Sequence, residues 1–187
     1  MRFLYLLCIV ALFYNTSCSD HQNNSNSIET VNDTLSKQSS LKEAESTFEN
    51  TTPYTEKEIA ALLPAQLQGG KLSEPESGEI MGTHYAKGLY TINDSTAVEL
   101  SLFDCAGSSG AGFYQFQFVN MLTAAPESED IEKKTIDFNG QKAIQQLDNN
   151  SYRSTFTYPS GRLLVTLESE ALDTEGLKKI AEKLSFK

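Results

Sequence analysis

The stretch best suited to chemistry is Asp104-Cys105-Ala106-Gly107-Ser108-Ser109-Gly110-Ala111-Gly112, a polar, glycine-rich run that leads toward a helix. A cysteine at a helix N-terminus has its thiolate favoured by the helix dipole, which would make Cys105 a nucleophile, with His84 as the base that could serve it. The competing reading is a small thiol at a strand end, since free cysteines are among the most buried residues. As a phosphate cradle the loop fails. Its glycines match neither the Walker nor the dinucleotide spacing, and the lysine that the Walker motif requires is missing. Ser108 and Ser109 form no Gly-x-Ser-x-Gly elbow. A zinc site needs three or four close nitrogen or sulfur ligands, and the two histidines, His21 and His84, stand far apart in the chain. Neither acidic run, Glu127-Ser128-Glu129-Asp130 with Glu132, nor Glu74, Glu76 and Glu79, has the spacing of a calcium loop. The residues therefore call for no metal and no cofactor. Tyr152, Phe156 and Tyr158 could line a ligand pocket, but their alternation is that of a strand facing a core.

These residues must be held by one domain. The chain carries 15 basic and 25 acidic residues, a net charge of −10, and offers no basic patch for nucleic acid or for anionic headgroups. Three cysteines fall at 8, 18 and 105, too scattered for a disulfide framework. A capping box at Thr55 and Glu58 opens a first helix, with Tyr54 and Ile59 placed for a hydrophobic staple, and Pro64 ends it. Gly69 to Gly78 reads as a loop. Strands are expected at Ile80 to Ile92 and at Thr96 to Cys105, where Val98, Leu100 and Leu102 alternate with Ala97, Glu99 and Ser101. Gly112 to Ala124 fits both a helix and a strand, and the glycines before it favour a helix. Four more strands follow at Ile131 to Phe138, Gln141 to Leu147, Ser151 to Tyr158 and Arg162 to Glu168, with Asn139-Gly140 as the strongest hairpin signal. Their inward faces are read as Ile136 and Phe138, then Ile144, then Tyr152, Phe156 and Tyr158, then Leu163, Val165 and Leu167. Asp173 caps a closing helix whose Leu177, Ile180, Ala181 and Leu184 share one face. The fold class is α+β: an antiparallel sheet of about six strands with two or three helices packed on one face, in two layers.

The N-terminus states a location. Arg2 precedes an unbroken apolar run, Phe3 to Tyr14, and Asn15-Thr16-Ser17 leads into Cys18, after which the chain is polar. This is the layout of a secretory signal, and the run is well short of the ~20 residues that cross a bilayer. Its ending resembles a bacterial lipoprotein signal, in the loosened form found in Bacteroidetes, although Asn15 stands where leucine is commonest. The resemblance implies that residues 1–17 are removed, that Cys18 is acylated, and that the protein is held at the outer membrane, facing the periplasm. Removal of Met1 to Ser17 takes away only Arg2 and leaves 14 basic against 25 acidic residues, or −11. Residues 18–53 then form a polar tether to a single domain at 54–187. Within the tether, Asp33-Thr34-Leu35 resembles the O-glycosylation motif of Bacteroidetes envelope proteins, in which Thr34 would carry the sugar. The order of elements in the domain loosely resembles uncharacterised bacterial envelope domains, which implies no residue-level role. Two functional classes remain open: a non-catalytic envelope lipoprotein that binds a protein partner or small ligand, or a thiol-dependent enzyme centred on Cys105.

Overall fold

The computed structural model describes residues 47–186. The signal, Cys18, His21 and Thr34 lie outside the described residues. The fold is α+β, built on one antiparallel sheet of eight strands in the order β1-β2-β3-β4-β8-β7-β6-β5. In chain order the elements are α1 (Glu56–Ala60), β1 (Gln66–Leu67), β2 (Gly70–Ile80), β3 (Thr83–Asn93), β4 (Thr96–Asp104), α2 (Gly107–Tyr114), a π-helical turn (Gln115–Val119), α3 (Asn120–Thr123), β5 (Ile131–Phe138), β6 (Gln141–Asp148), β7 (Arg153–Ser160), β8 (Leu163–Ser169) and α4 (Thr174–Ala181).

The sheet has two strands more than expected: β1, which follows the first helix, and β2, most of which lies in the segment read as a loop. β2 has no apolar alternation because it lies near the sheet edge, where most of its side chains stay wet. Its pairing is carried by backbone hydrogen bonds to β3, in a register that shifts between Ser73 and Glu76 around Pro75. Such a bulge with a proline is a common way to blunt an edge. The expected strand from Ile80 is really two, because Met81 and Gly82 turn the chain with φ of 53° and 76°. Asn139 and Gly140, at 50° and 79°, make the same turn where the sequence announces it.

The helices do not share one face, and this overturns the two-layer reading. On the first face Ile59 of α1 and Leu177, Ile180 and Ala181 of α4 pack with Val98, Leu100, Leu102, Phe156, Val165 and Leu167. The capping box at Thr55 and Glu58 is formed, and Asp173 accepts from the Gly176 amide at 2.7 Å. On the second face Phe113, Tyr114 and Phe118 cover Cys105, Ile144 and Leu164. Ile144 therefore points away from the face expected of it, and its neighbour Ala143 takes that place. Tyr152 is no core residue either: it is 74% exposed, in the turn before β7 with a φ of 55°. The helix over the second face begins at Gly107, five residues before the expected Gly112. Its π-helical turn breaks the 3.6-residue period, which is why the sequence pattern there fits two structures at once. At its C-terminal end the free carbonyls of Met121 and Ala124 accept from the Lys133 ammonium, and that of Leu122 from the Thr135 hydroxyl.

Packing also extends N-terminal to Tyr54. Phe48, placed by composition in the tether, is 8% exposed and meets the Tyr114 ring edge-on at 5.2 Å. The chain is fastened just after it by Asp104, which is 1% exposed. The Asp104 carboxylate accepts from the Tyr54 amide at 2.6 Å and the Ala106 amide at 3.1 Å. Arg162, in the β7–β8 turn, grips it with two bonds of 2.8 and 2.7 Å, donates to the Thr52 carbonyl at 2.7 Å, and stacks 3.8 Å from the centre of the Tyr54 ring.

Removing one partner of such a buried pair strands the other, so Asp104→Ala is expected to cost about 3–5 kcal/mol in urea unfolding. Arg162→Ala should cost less, because the carboxylate keeps two amide donors, and the double variant should cost less than the two single losses added together. Additive losses would show that the residues act independently.

Candidate functional site

The loop that invites a nucleophile is built for packing. β4 delivers Cys105 into the second-face core, where it is fully buried, its amide bonded to the Arg162 carbonyl at 2.9 Å. A side chain on Gly110 would bring a Cβ within 2.5 Å of the Cys105 carbonyl carbon and 2.7 Å of the Asp104 carbonyl oxygen. The glycine is needed because the helix backbone presses directly on the strand end. Burial pushes the Cys105 thiol up to about 12, with the neighbouring Asp104 charge adding to the rise. A thiol so placed is protonated at neutral pH and has no path to a substrate. His84 is not its partner. It shares its side of β3 with Ala86 in the first core, and its Nε2 lies 3.8 Å from Glu79. The residues named by the sequence are thus not brought together. Phe156 and Tyr158 are core, as their alternation implied.

What the sheet leaves open is the rest of the second face. The α2–α3 helix covers only one end of it, over Phe103, Leu164 and Ile144. Beyond the helix the wet sides of β4, β8 and β7 run together, because β4 pairs with β8 and β8 with β7. The register sets Ser101 beside Thr166, Thr166 beside Thr157, Glu99 beside Glu168 and Glu168 beside Thr155. A hollow of about 290 Å³ lies between this surface and the helix, bounded by Ser101, Gln146, Thr155 and Glu168 on the sheet and by Phe113 and Met121 on the helix. A second, of about 350 Å³, adjoins it through Glu168 and reaches Glu99, Arg153 and Glu170.

Glu168 is the half-buried carboxylate shared by both hollows. Burial raises its pKa, the facing Glu99 raises it further, and Arg153 and Lys87 pull it back. Arg153 lies 3.7 Å from it but closer, at 3.0 Å, to Glu170. Only two of the neutral groups spend their hydrogen bonds on each other, the Thr157 and Thr166 hydroxyls at 3.2 Å. The arrangement suits holding a polar molecule. It contains no activated nucleophile, and among the described residues no group of three or more His, Cys, Asp or Glu could hold a metal ion. Sequence reading passed over these side chains because each looks like one wet position of a strand. The only local signal is that Ser101, Thr155, Thr157 and Thr166 are short hydroxyl residues where exposed strand faces often carry lysine.

Comparison with protein-family models, with curated proteins and with solved structures finds no match.

Two outcomes are expected. Iodoacetamide near neutral pH should leave Cys105 unlabelled in the folded protein and label it in urea; rapid labelling without denaturant would restore the thiol reading. For Glu168, a raised folded pKa means that the native state binds the proton more tightly than the unfolded chain, so stability falls as pH rises through that pKa. Glu168→Gln should therefore raise the melting temperature at pH 7, and the gain should vanish as pH falls to the ordinary carboxylate range. A constant difference at every pH would show that the ionised carboxylate costs nothing.

Proposed function

We propose that this protein is a non-catalytic lipoprotein of the bacterial envelope, acylated on Cys18, held at the outer membrane facing the periplasm, and binding a small ligand or protein partner on the open β4–β8–β7 face. The observation that carries the binding reading is the pair of adjoining hollows lined by polar side chains, of which Ser101, Thr155 and Gln146 have no hydrogen-bond partner among the described residues. The thiol-enzyme alternative loses its support, since Cys105 is sealed under Phe113, Tyr114 and Phe48. Among the described residues no helix is long and apolar enough to cross a membrane. The attachment in this reading is the lipid on Cys18, supported by the signal-like sequence before it. Each buried methylene adds ~0.8 kcal/mol of membrane affinity, and two chains already anchor stably. The acidity of the chain, −10 in all, gives it no electrostatic hold on anionic headgroups.

Both halves of the reading can be tested. Cys18→Ala should move the protein from the membrane pellet to the soluble fraction and abolish labelling by a fatty-acid analogue, while its melting temperature stays the same. Native mass spectrometry of protein released gently from envelopes should show a bound mass that is absent from Thr155→Trp, whose indole would fill the hollow. A Cys18→Ala protein that stays in the pellet refutes the anchor, and a bound mass unaffected by Thr155→Trp refutes the site.

A further inference from the structure

We propose that the open face binds a small hydroxylated amine, of the chemical class of the amino sugars, with its ammonium between Glu99 and Glu168 and its hydroxyls along Ser101, Thr155 and Gln146. The inference rests on the binding reading above and names the ligand class for that same site.

Glu99 and Glu168 are register partners on adjacent antiparallel strands, so their side chains rise from the same face directly opposite each other. Like charges so placed repel. Three other charged groups belong to this neighbourhood: Lys87 from β3, Arg153 from β7 and Glu170 just after β8. Neither cation is dedicated to the pair. Lys87 is held 3.1 Å from Glu76, and Arg153 lies closer to Glu170 than to Glu168. Two facing carboxylates, one of them half-buried, thus lack a full counter-charge, and an ammonium between them would supply it.

A second observation independently points to a ligand. Ser101 lies two residues along β4 from Glu99 on the same face, is only 9% exposed, and borders the hollow. Its hydroxyl has no protein partner among the described residues, whereas that of Thr166 beside it is taken by Thr157. The Ser101 hydroxyl opens into the hollow and is left to solvent, so a ligand oxygen there would take the place of water. Thr155 and Gln146 border the same hollow and offer further donors and acceptors, while Phe103, Phe113 and Met121 give its far end an apolar surface for a ring face.

The alternatives fit less well. A divalent cation would find two carboxylates where six or so oxygens are wanted, and no third acidic or histidine ligand stands within reach among the described residues. An anion would meet the same two carboxylates unfavourably. A neutral sugar would satisfy Ser101 and leave the repulsion in place.

The test is an ¹H–¹⁵N NMR titration of the full-length Cys18→Ala chain with D-glucosamine, and with D-glucose as the neutral control. Glucosamine should give saturable shifts at the amides of Glu99, Ser101, Thr155 and Glu168, with an affinity at least about tenfold above that of glucose, the scale of a charge-assisted hydrogen bond. Ser101→Ala should weaken it about fivefold, the loss of one neutral hydrogen bond. The double variant Glu99→Gln, Glu168→Gln should abolish the preference for glucosamine while the remaining spectrum stays dispersed, because the change removes a repulsion and leaves the core intact. Equal affinity for glucose, or the same shifts produced by Mg²⁺ or Ca²⁺, would overturn the proposal. So would the absence of shifts. If the bound mass sensitive to Thr155→Trp is still found, only the amine is refuted, and if it is missing too, the binding site falls with it.

Discussion

The Asp104–Arg162 pair is the constraint on which the rest of the structure depends. Asp104 is the last residue of β4, Arg162 lies in the turn that feeds β8, and these two strands bring the two halves of the sheet together. A carboxylate that is 1% exposed would be costly to bury alone. Here two guanidinium bonds and two amide bonds surround it, and their three donor residues, Arg162, Tyr54 and Ala106, come from different parts of the chain. The Tyr54 amide brings the segment that starts α1 and packs on the first face. The Ala106 amide orients the start of α2, which packs on the second. One buried charge thus ties down the chain just before α1 on one face and α2 on the other.

That arrangement explains the composition of the segment after β4. With the helix start fixed at Ala106, the helix must leave the strand end at close quarters, and Gly110 is the residue that lets the two backbones meet. Gly107 takes the left-handed conformation, φ 74°, that a side chain would resist. The serines and glycines that resemble a catalytic loop are thus consequences of a tight corner. Cys105, between the buried aspartate and the helix start, is forced into the core by the same corner, and its burial removes its reactivity.

The helices and most strands were legible in the chain because their signals are local: a capping box, an aspartate cap with an apolar stripe, alternating apolar residues and an Asn-Gly turn. β2 was not, since a strand next to the sheet edge, held by backbone bonds, needs no apolar pattern. The division of the helices between two faces was hidden for another reason. It depends on Ile144 and Leu164 pointing to the opposite side from Ala143, Leu163 and Val165, and in runs such as Leu163-Leu164-Val165, apolar on both sides of the strand, alternation cannot tell which side is covered. The open face was least legible of all. Glu99 and Glu168 are separated by more than a third of the chain and become neighbours only through the β4–β8 pairing, a non-local event that no window of sequence contains.

The same strand separates attachment from binding. Asp104 and Glu99 are five residues apart on β4, which at ~3.3 Å per residue puts them some 17 Å apart along it. The Asp104 end holds Thr52 and Tyr54, where the chain arrives from its N-terminal side; the Glu99 end carries the paired carboxylates. On the proposed anchoring, a pull on the N-terminal chain would reach the domain at the Asp104 cluster, its most heavily bonded point, and would pass into β4 and the β7–β8 turn. The facing carboxylates and the second hollow lie further along the sheet, away from that cluster. The covering helix separates the two regions, and its C-terminal carbonyls are fastened to Lys133 and Thr135 of β5. A domain built this way can be held firmly at one end without deforming the surface it presents at the other. That division of labour suits a module whose task is to hold something while attached, and it requires nothing of Cys105.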